Sequence, residues 1–284
     1  PVLASFEDGA LALLNYADRL YQMPLGLIGV AVGVAMLPRL SRLVQAEDHA
    51  GARGALDEAV NLSMAFTLPA AAAMMAFPSY LLEGLFARGA FSAEDARLCA
   101  MALLHYGWGV PAFMLAKIYA PGFFAREDTK APMRFALISM AINTALGAGL
   151  FFGLRALDAP GFPGLAIATS VAAWVNVLMM IAALGRRGAY APSAPALSRL
   201  ARIMLVSIGL GALLFIAQAN REALEAALGP KEIVVALLIV GGGLGYFLFL
   251  FLSGAVTLGE VRAALRRERA AAGSEAGLPP SLDG

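Results

Sequence analysis

Between residues 9 and 256 the chain offers seven long stretches that are rich in apolar residues and poor in charge. They lie near 9 to 38, 60 to 82, 98 to 118, 133 to 154, 163 to 185, 203 to 220 and 233 to 256. Each approaches the roughly 20 apolar residues that an α-helix needs to cross a bilayer. The expected fold is therefore all-α, a polytopic membrane bundle of about seven transmembrane helices. Composition agrees, with 60% apolar and 14% charged residues where a soluble domain has about half and a quarter. The first stretch is long enough to tilt or break, and Pro24 with its flanking glycines is where a break is expected. Pro121-Gly122 is expected to interrupt the third helix, with Asp128 or Thr129 capping the next. The fifth starts from the turn Pro160-Gly-Phe-Pro-Gly164.

The basic residues alternate along these stretches. Fifteen fall after the first, third, fifth and seventh, and five fall after the others. The positive-inside rule then places the first set, and the C-terminus, in the cytoplasm. From Arg262 onward the chain reads as a basic juxtamembrane end followed by a Gly/Pro/Ser-rich disordered stretch, suited to anionic lipid. Cys99 stands alone, so neither an internal disulfide nor a cysteine metal site can form. The opening Pro-Val-Leu-Ala-Ser has no initiator Met and no basic run before an apolar core, so no signal peptide is expected and the chain reads as a fragment.

Inside the first stretch sits the adjacent pair Asp18-Arg19. An ionised side chain at mid-bilayer costs at least about 2.5 kcal/mol, so such residues face a partner or a cavity and mark a pathway. On a helical wheel Asn15, Asp18, Arg19 and Gln22 share an arc of about 100°. Gly26, Gly29 and Gly33 continue that arc beyond Pro24 as a groove without side chains. Arginine suits a bidentate grip on phosphate oxygens, and Asp18 is placed to orient it. Neighbours in sequence do not face each other on a helix, so each is expected to find its partner on another helix or in water. The same residues could instead form a buried ion-pair network that only fixes packing. The glycines fit a hinge or close helix contact equally well, and Gly241-Gly-Gly-Leu-Gly245 reads as close packing. Lys117 either snorkels to the cytoplasmic edge or adds a second cation to the cavity. His105, beside Tyr106 and Trp108, reads as a hydrogen-bonded structural histidine. Ser139 with Asn143, and Thr169 with Asn176, have one-face spacing for interhelical hydrogen bonds. Metalloprotease, serine-hydrolase and Walker motifs are absent, so hydrolysis and group transfer are not expected.

Three pieces carry a resemblance: Tyr16-Ala-Asp-Arg-Leu20 with Pro24, Gly29-Val-Ala-Val-Gly33, Leu37-Pro38 and Ser41; Lys117-Ile-Tyr-Ala-Pro-Gly-Phe-Phe-Ala-Arg126 with Asp128-Thr-Lys-Ala-Pro132; and Gly164-Leu-Ala-Ile-Ala168. Their order and spacing resemble the C-terminal half of MurJ/MviN-type lipid II flippases of the MOP superfamily. The resemblance implies two six-helix lobes plus two extra helices in the whole protein. Residues 1–6 would end a preceding helix, 7–190 form the C-terminal lobe, 191–256 hold the extra pair and 257–284 the tail. It also implies a central cationic cavity lined by Arg19 beside Asp18, a lipid-tail groove on the last two helices, and a bacterial inner-membrane location. The implied partners are an undecaprenyl-pyrophosphate-linked peptidoglycan precursor, membrane lipids and the missing N-terminal lobe. No nucleic acid is expected, no cofactor is evident, and no residue names a coupling ion. Three other readings remain open to the residues: a related exporter of another lipid-linked oligosaccharide or small solute, a non-transporting scaffold, and a membrane-embedded enzyme.

Overall fold

The computed structural model describes residues 2–7, 9–86 and 91–255; for residues 2, 6 and 27–35 it describes the backbone alone. After a short 3-10 turn at Val2–Phe6 come α1 (Ala10–Gln45), α2 (His49–Ala76), α3 (Pro78–Phe86), α4 (Ala93–Phe124) and α5 (Lys130–Arg155). Then follow α6 (Phe162–Arg186), α7 (Ala194–Ala219), α8 (Arg221–Leu228) and α9 (Lys231–Leu252), with no strand among the described residues. Six helices, α2, α4, α5, α6, α7 and α9, are long and apolar enough to cross a membrane. The other expected span lies in α1, whose 36 residues measure about 54 Å at 1.5 Å each, well beyond a hydrocarbon core of about 30 Å.

Starts are set locally. Ser92 and Asp95 close a capping box on α4, with Asp95 N–H donating to Ser92 Oγ at 3.1 Å and Ser92 N–H to Asp95 Oδ2 at 2.8 Å. Asp48 accepts from Gly51 N–H at 2.8 Å before α2, and Asp128 accepts from Ala131 N–H at 2.9 Å before α5. Thr129 makes no side-chain cap. The start of α6 takes its cap from far away: Gly161 and Phe162 N–H donate to the Glu7 carboxylate at 2.7 and 3.2 Å.

Two expected interruptions are not there. α1 runs through Pro24 and α4 through Pro121 to Phe124. A proline removes one intrahelical bond, but in a packed bundle the neighbours satisfy what it frees. Pro69 in α2 shows how: it cannot donate to Ala65 four residues back, and Tyr246 Oη on α9 donates to that carbonyl instead at 2.8 Å. The break falls where none was expected, inside the second window. Phe77, fully buried, leaves helical geometry at φ −141°, ψ 48°, and Pro78 begins α3, as the steric demand of proline on its predecessor requires.

α4 is the hub, packed against α1, α2, α3 and α6. In its most apolar stretch 67% of residues are buried, against 11% in α5, which leans almost wholly on α6. α7 lies on α2, and α9 on α3 and α7. Ser170 Oγ and Trp174 Nε1 tie α6 to α4, donating to the His105 and Trp108 carbonyls at 2.7 and 2.9 Å. His105 is thus engaged through its backbone. Gly109 permits this closeness, since a Cβ there would collide with Ser170, and Gly164 does the same for the α6–α5 contact, where a Cβ would lie 3.0 Å from the Leu150 carbonyl carbon. The Gly241–Gly245 run packs much less than expected. Gly242 alone faces a neighbour, Leu210, while the other three have open space.

At the end of the bundle carrying the α1–α2, α4–α5 and α6–α7 turns, polar contacts bind the turns together. Arg39 pairs with Glu58 at 2.7 Å and Arg187 with Asp128 at 2.6 Å. Arg126 donates to the Gly122 and Ala189 carbonyls. Asp57, buried on α2, accepts from Tyr190 Oη at 2.7 Å and Ser193 N–H at 3.2 Å. Burial, reinforced by Tyr119 and Asp57, raises the pKa of the Tyr190 hydroxyl, so it stays a donor.

Gly164→Ala is expected to destabilise the full-length protein by about 1 to 3 kcal/mol, because α5 and α6 must separate, whereas Gly241→Ala should change it by less than about 0.5 kcal/mol. Tyr246→Phe should cost about 1 to 3 kcal/mol by leaving the Ala65 carbonyl without a donor. Thermal unfolding in detergent measures all three. Asp128 has its carboxyl held below the usual range by the Ala131 N–H and then by Arg187. Its contribution is therefore complete above the unfolded value of about 3.9 and is lost as pH falls through the lower folded value. The gap in thermal stability between wild type and Asp128→Asn should hold at neutral pH and close below about pH 4.

Candidate functional site

α1 presents two unlike sides. Leu13, Leu14, Ala17, Leu20 and Leu25 are buried in the core, and Cys99 Sγ on α4 donates to the Leu13 carbonyl at 3.2 Å. On the opposite side Asn15, Arg19, Gln22 and Gly26 are exposed, and Asp18 and Pro24 are half-buried. A Cβ added at Gly26 would meet nothing within 4 Å, so the expected groove is open there. The packing of Gly29 and Gly33 lies outside the described residues.

Within the arc the acid and the base have different surroundings. The Asp18 carboxylate accepts from the Gln22 side-chain amide one turn on. This partner, among the described residues, is on its own helix, where another helix or water was expected. Arg19 has no hydrogen bond or ion pair among the described residues, and the same is true of Asn15. The ring of Tyr21 sits against Tyr106 and Phe113 of α4, with centroids 4.8 and 5.3 Å away.

Phe113 also lines a cleft of about 250 Å³ between α4, α5 and α6. Ser139 and Asn143 from α5, and Thr169 and Asn176 from α6, give it a polar lining. Ser139 Oγ donates to the Ala172 carbonyl at 2.7 Å, and Thr169 Oγ1 lies 3.4 Å from Asn143 Oδ1 and 2.8 Å from the Leu165 carbonyl. The Ser139 bond and the Thr169–Asn143 contact join α5 to α6, as one-face spacing predicts, whereas the Leu165 bond stays within α6. Asn176 Oδ1 is buried without a protein partner. Lys117 follows Ala116 of the cleft wall and is exposed, with no partner among the described residues.

The structure therefore gathers Asn15, Asp18, Arg19 and Gln22 on one face, and joins that face to the cleft through Tyr21 and Phe113. Sequence reasoning passed over Tyr21, whose ring contacts lie on another helix and leave no signal within a turn. Chemically, an exposed guanidinium offers paired N–H donors of the kind that suit an anion. No group of three or more His, Cys, Asp or Glu able to hold a metal occurs among the described residues.

Comparison with known proteins agrees with this picture. The family model described as lipid II flippase MurJ matches residues 1–227. A probable lipid II flippase MurJ of Rhizobium tropici is 37% identical over 277 residues, covering 96% of this chain and 51% of the relative. One from Vibrio cholerae is 32% identical over 266 residues, 92% of this chain and 49% of that one. The chain thus spans about half the length of the relatives it matches. A solved lipid II flippase MurJ in an inward closed conformation superposes with a TM-score of 0.66 over 87% of this chain and 48% of its own, at 22% identity, which speaks for the fold. With an all-helical multi-pass bundle, a polar arc on α1 and a family match over most of its length, the chain belongs to the lipid II flippase MurJ family.

Proposed function

We propose that this chain is the C-terminal half of a flippase that moves an undecaprenyl-pyrophosphate-linked peptidoglycan precursor, lipid II, across the bacterial inner membrane. Residues 7–190 serve as one of two lobes that rock about a central cavity. Residues 191–256 add two helices, 1–6 join the preceding helix, and 257–284 form the cytoplasmic tail. The charge alternation along the sequence supports that orientation.

The single observation that carries the reading is Arg19, exposed and with no hydrogen bond or ion pair among the described residues, on a largely apolar helix. A pyrophosphate head group cannot enter about 30 Å of hydrocarbon unless a cationic, hydrated lining replaces its water. Arg19 supplies a bidentate donor for phosphate oxygens, Asn15 and Gln22 add neutral polar groups beside it, and Lys117 supplies a second cation. Arg19 costs about 2.5 to 3.5 kcal/mol at mid-span, which a purely structural α1 would have no use for when the residue makes no hydrogen bond or ion pair among the described residues. The exposed apolar flanks of α7 and α9, including Leu205 and Leu244, suit the lipid tail. Transport by the whole protein needs the other lobe, and the reading assigns no bond-making step to this half.

The test is rescue of bacteria depleted of their own lipid II flippase by the full-length gene that contains this segment. Wild type should restore growth, and Arg19→Ala at equal membrane level should not. Equal rescue by Arg19→Ala would make Arg19 structural, and failure of the wild type would direct attention to another lipid-linked substrate or to a scaffold.

A further inference from the structure

Four helices take their caps from close by. Asp48, Ser92, Asp128 and Ser193 each accept from an amide three residues on, before α2, α4, α5 and α7. α6 departs from this. Gly161 brings no side chain to its start, and Asp158, three residues earlier, stays exposed. The Glu7 carboxylate serves instead, one oxygen accepting from Gly161 N–H at 2.7 Å and the other from Phe162 N–H at 3.2 Å. Arg155 Nε, at the end of α5, lies 4.0 Å from the same carboxylate. Glu7 is also built into the entry of the chain: its N–H donates to the Ala4 carbonyl at 3.3 Å, and its own carbonyl accepts from Ala10 N–H at 3.2 Å. Ala4 and Ala10 are buried. One residue thus joins the Val2–Phe6 turn, the start of α1 and the α5–α6 turn. A cap that served α6 alone could come from its own turn, as at the other four helices. A cap borrowed from the entry segment makes the α5–α6 turn follow that segment, and α5 has little else to hold it, since it leans almost wholly on α6.

We propose that Glu7 is a positioning residue for transport: it fastens the α5–α6 pair to the segment by which the chain enters this lobe, so that the two travel together when the lobes rock. The proposal rests on the flippase reading. Arg19 lies about two and a half turns into α1, so losing the carboxylate at residue 7 leaves the anion site intact and removes the connection.

The full-length protein tests this with three readouts: rescue of flippase-depleted bacteria at equal membrane level, calorimetric titration with farnesyl pyrophosphate in detergent, and amide hydrogen exchange. Glu7→Ala should speed exchange in the peptide carrying Gly161 and Phe162 about tenfold or more, the scale of a lost hydrogen bond to a charged group. Its affinity for farnesyl pyrophosphate should stay within about twofold of wild type, as for distant independent sites, while rescue is lost. Glu7→Gln, which keeps the size and one acceptor oxygen, should fall between Glu7→Ala and wild type in exchange and in rescue, and it carries the test if the alanine variant does not reach the membrane. Rescue of wild-type strength by these variants overturns the proposal and leaves Glu7 as a cap for α6. So does a loss of rescue matched by an equal loss of affinity, which would place the effect in the anion site, and so does unchanged exchange, which would remove the clamp itself. Arg19→Ala, run alongside, reports on the flippase reading separately. If it binds and rescues like wild type, that reading falls and the role of Glu7 in transport with it, whereas failure of the clamp alone leaves the reading standing.

Discussion

In hydrocarbon no water competes for a backbone amide, so each N–H and C=O must find its partner within the protein. Most of this structure follows from that demand. It turns the apolar stretches into long helices and carries α1, α2 and α4 through internal prolines. It also gives side chains from other helices a use: Tyr246 bonds the Ala65 carbonyl that Pro69 leaves free, and in the α6–α4 seam Ser170 and Trp174 bond carbonyls of α4. These bonds fix which helix lies where, a task that apolar contact with lipid on every side performs poorly.

The same demand makes the polar arc of α1 informative. Elsewhere in the spans Ser170 and Ser207 donate to backbone carbonyls, while Ser63 and Thr67 are buried with no bond from their hydroxyls among the described residues. Arg19 is exposed and makes no hydrogen bond or ion pair among the described residues, while its acidic neighbour accepts from Gln22. At the far end of the bundle charge is used differently: Arg126, Arg187, Asp128 and Asp57 lock the turns of α2, α4 and α6 to one another.

Much of this was legible in advance. Apolar length gave the six spans that the structure bears out, with a seventh expected in α1, and the cap at Asp128 sits three residues from the group it bonds, close enough to be read along the chain. The arc of Asn15, Asp18, Arg19 and Gln22 follows from helical period alone. The break at Phe77-Pro78 was not legible, because Pro24, Pro69, Pro111 and Pro121 carry the same local signal and are accommodated. Nor was the openness of Gly241, Gly243 and Gly245, since a small-residue run looks the same whether or not a helix lies against it.

What the sequence determined by itself is whatever depends on neighbours within a turn or two: helix content, six of the seven expected spans, the polar face of α1 and the family signature. The tertiary structure alone decided the cap that Glu7 places on α6, the seating of Tyr21 between Tyr106 and Phe113, and the anchoring of α9 by Tyr246. Those contacts join residues from about 85 to more than 180 positions apart. Helical period has no reach over such distances, and only the packing of whole helices brings the groups together.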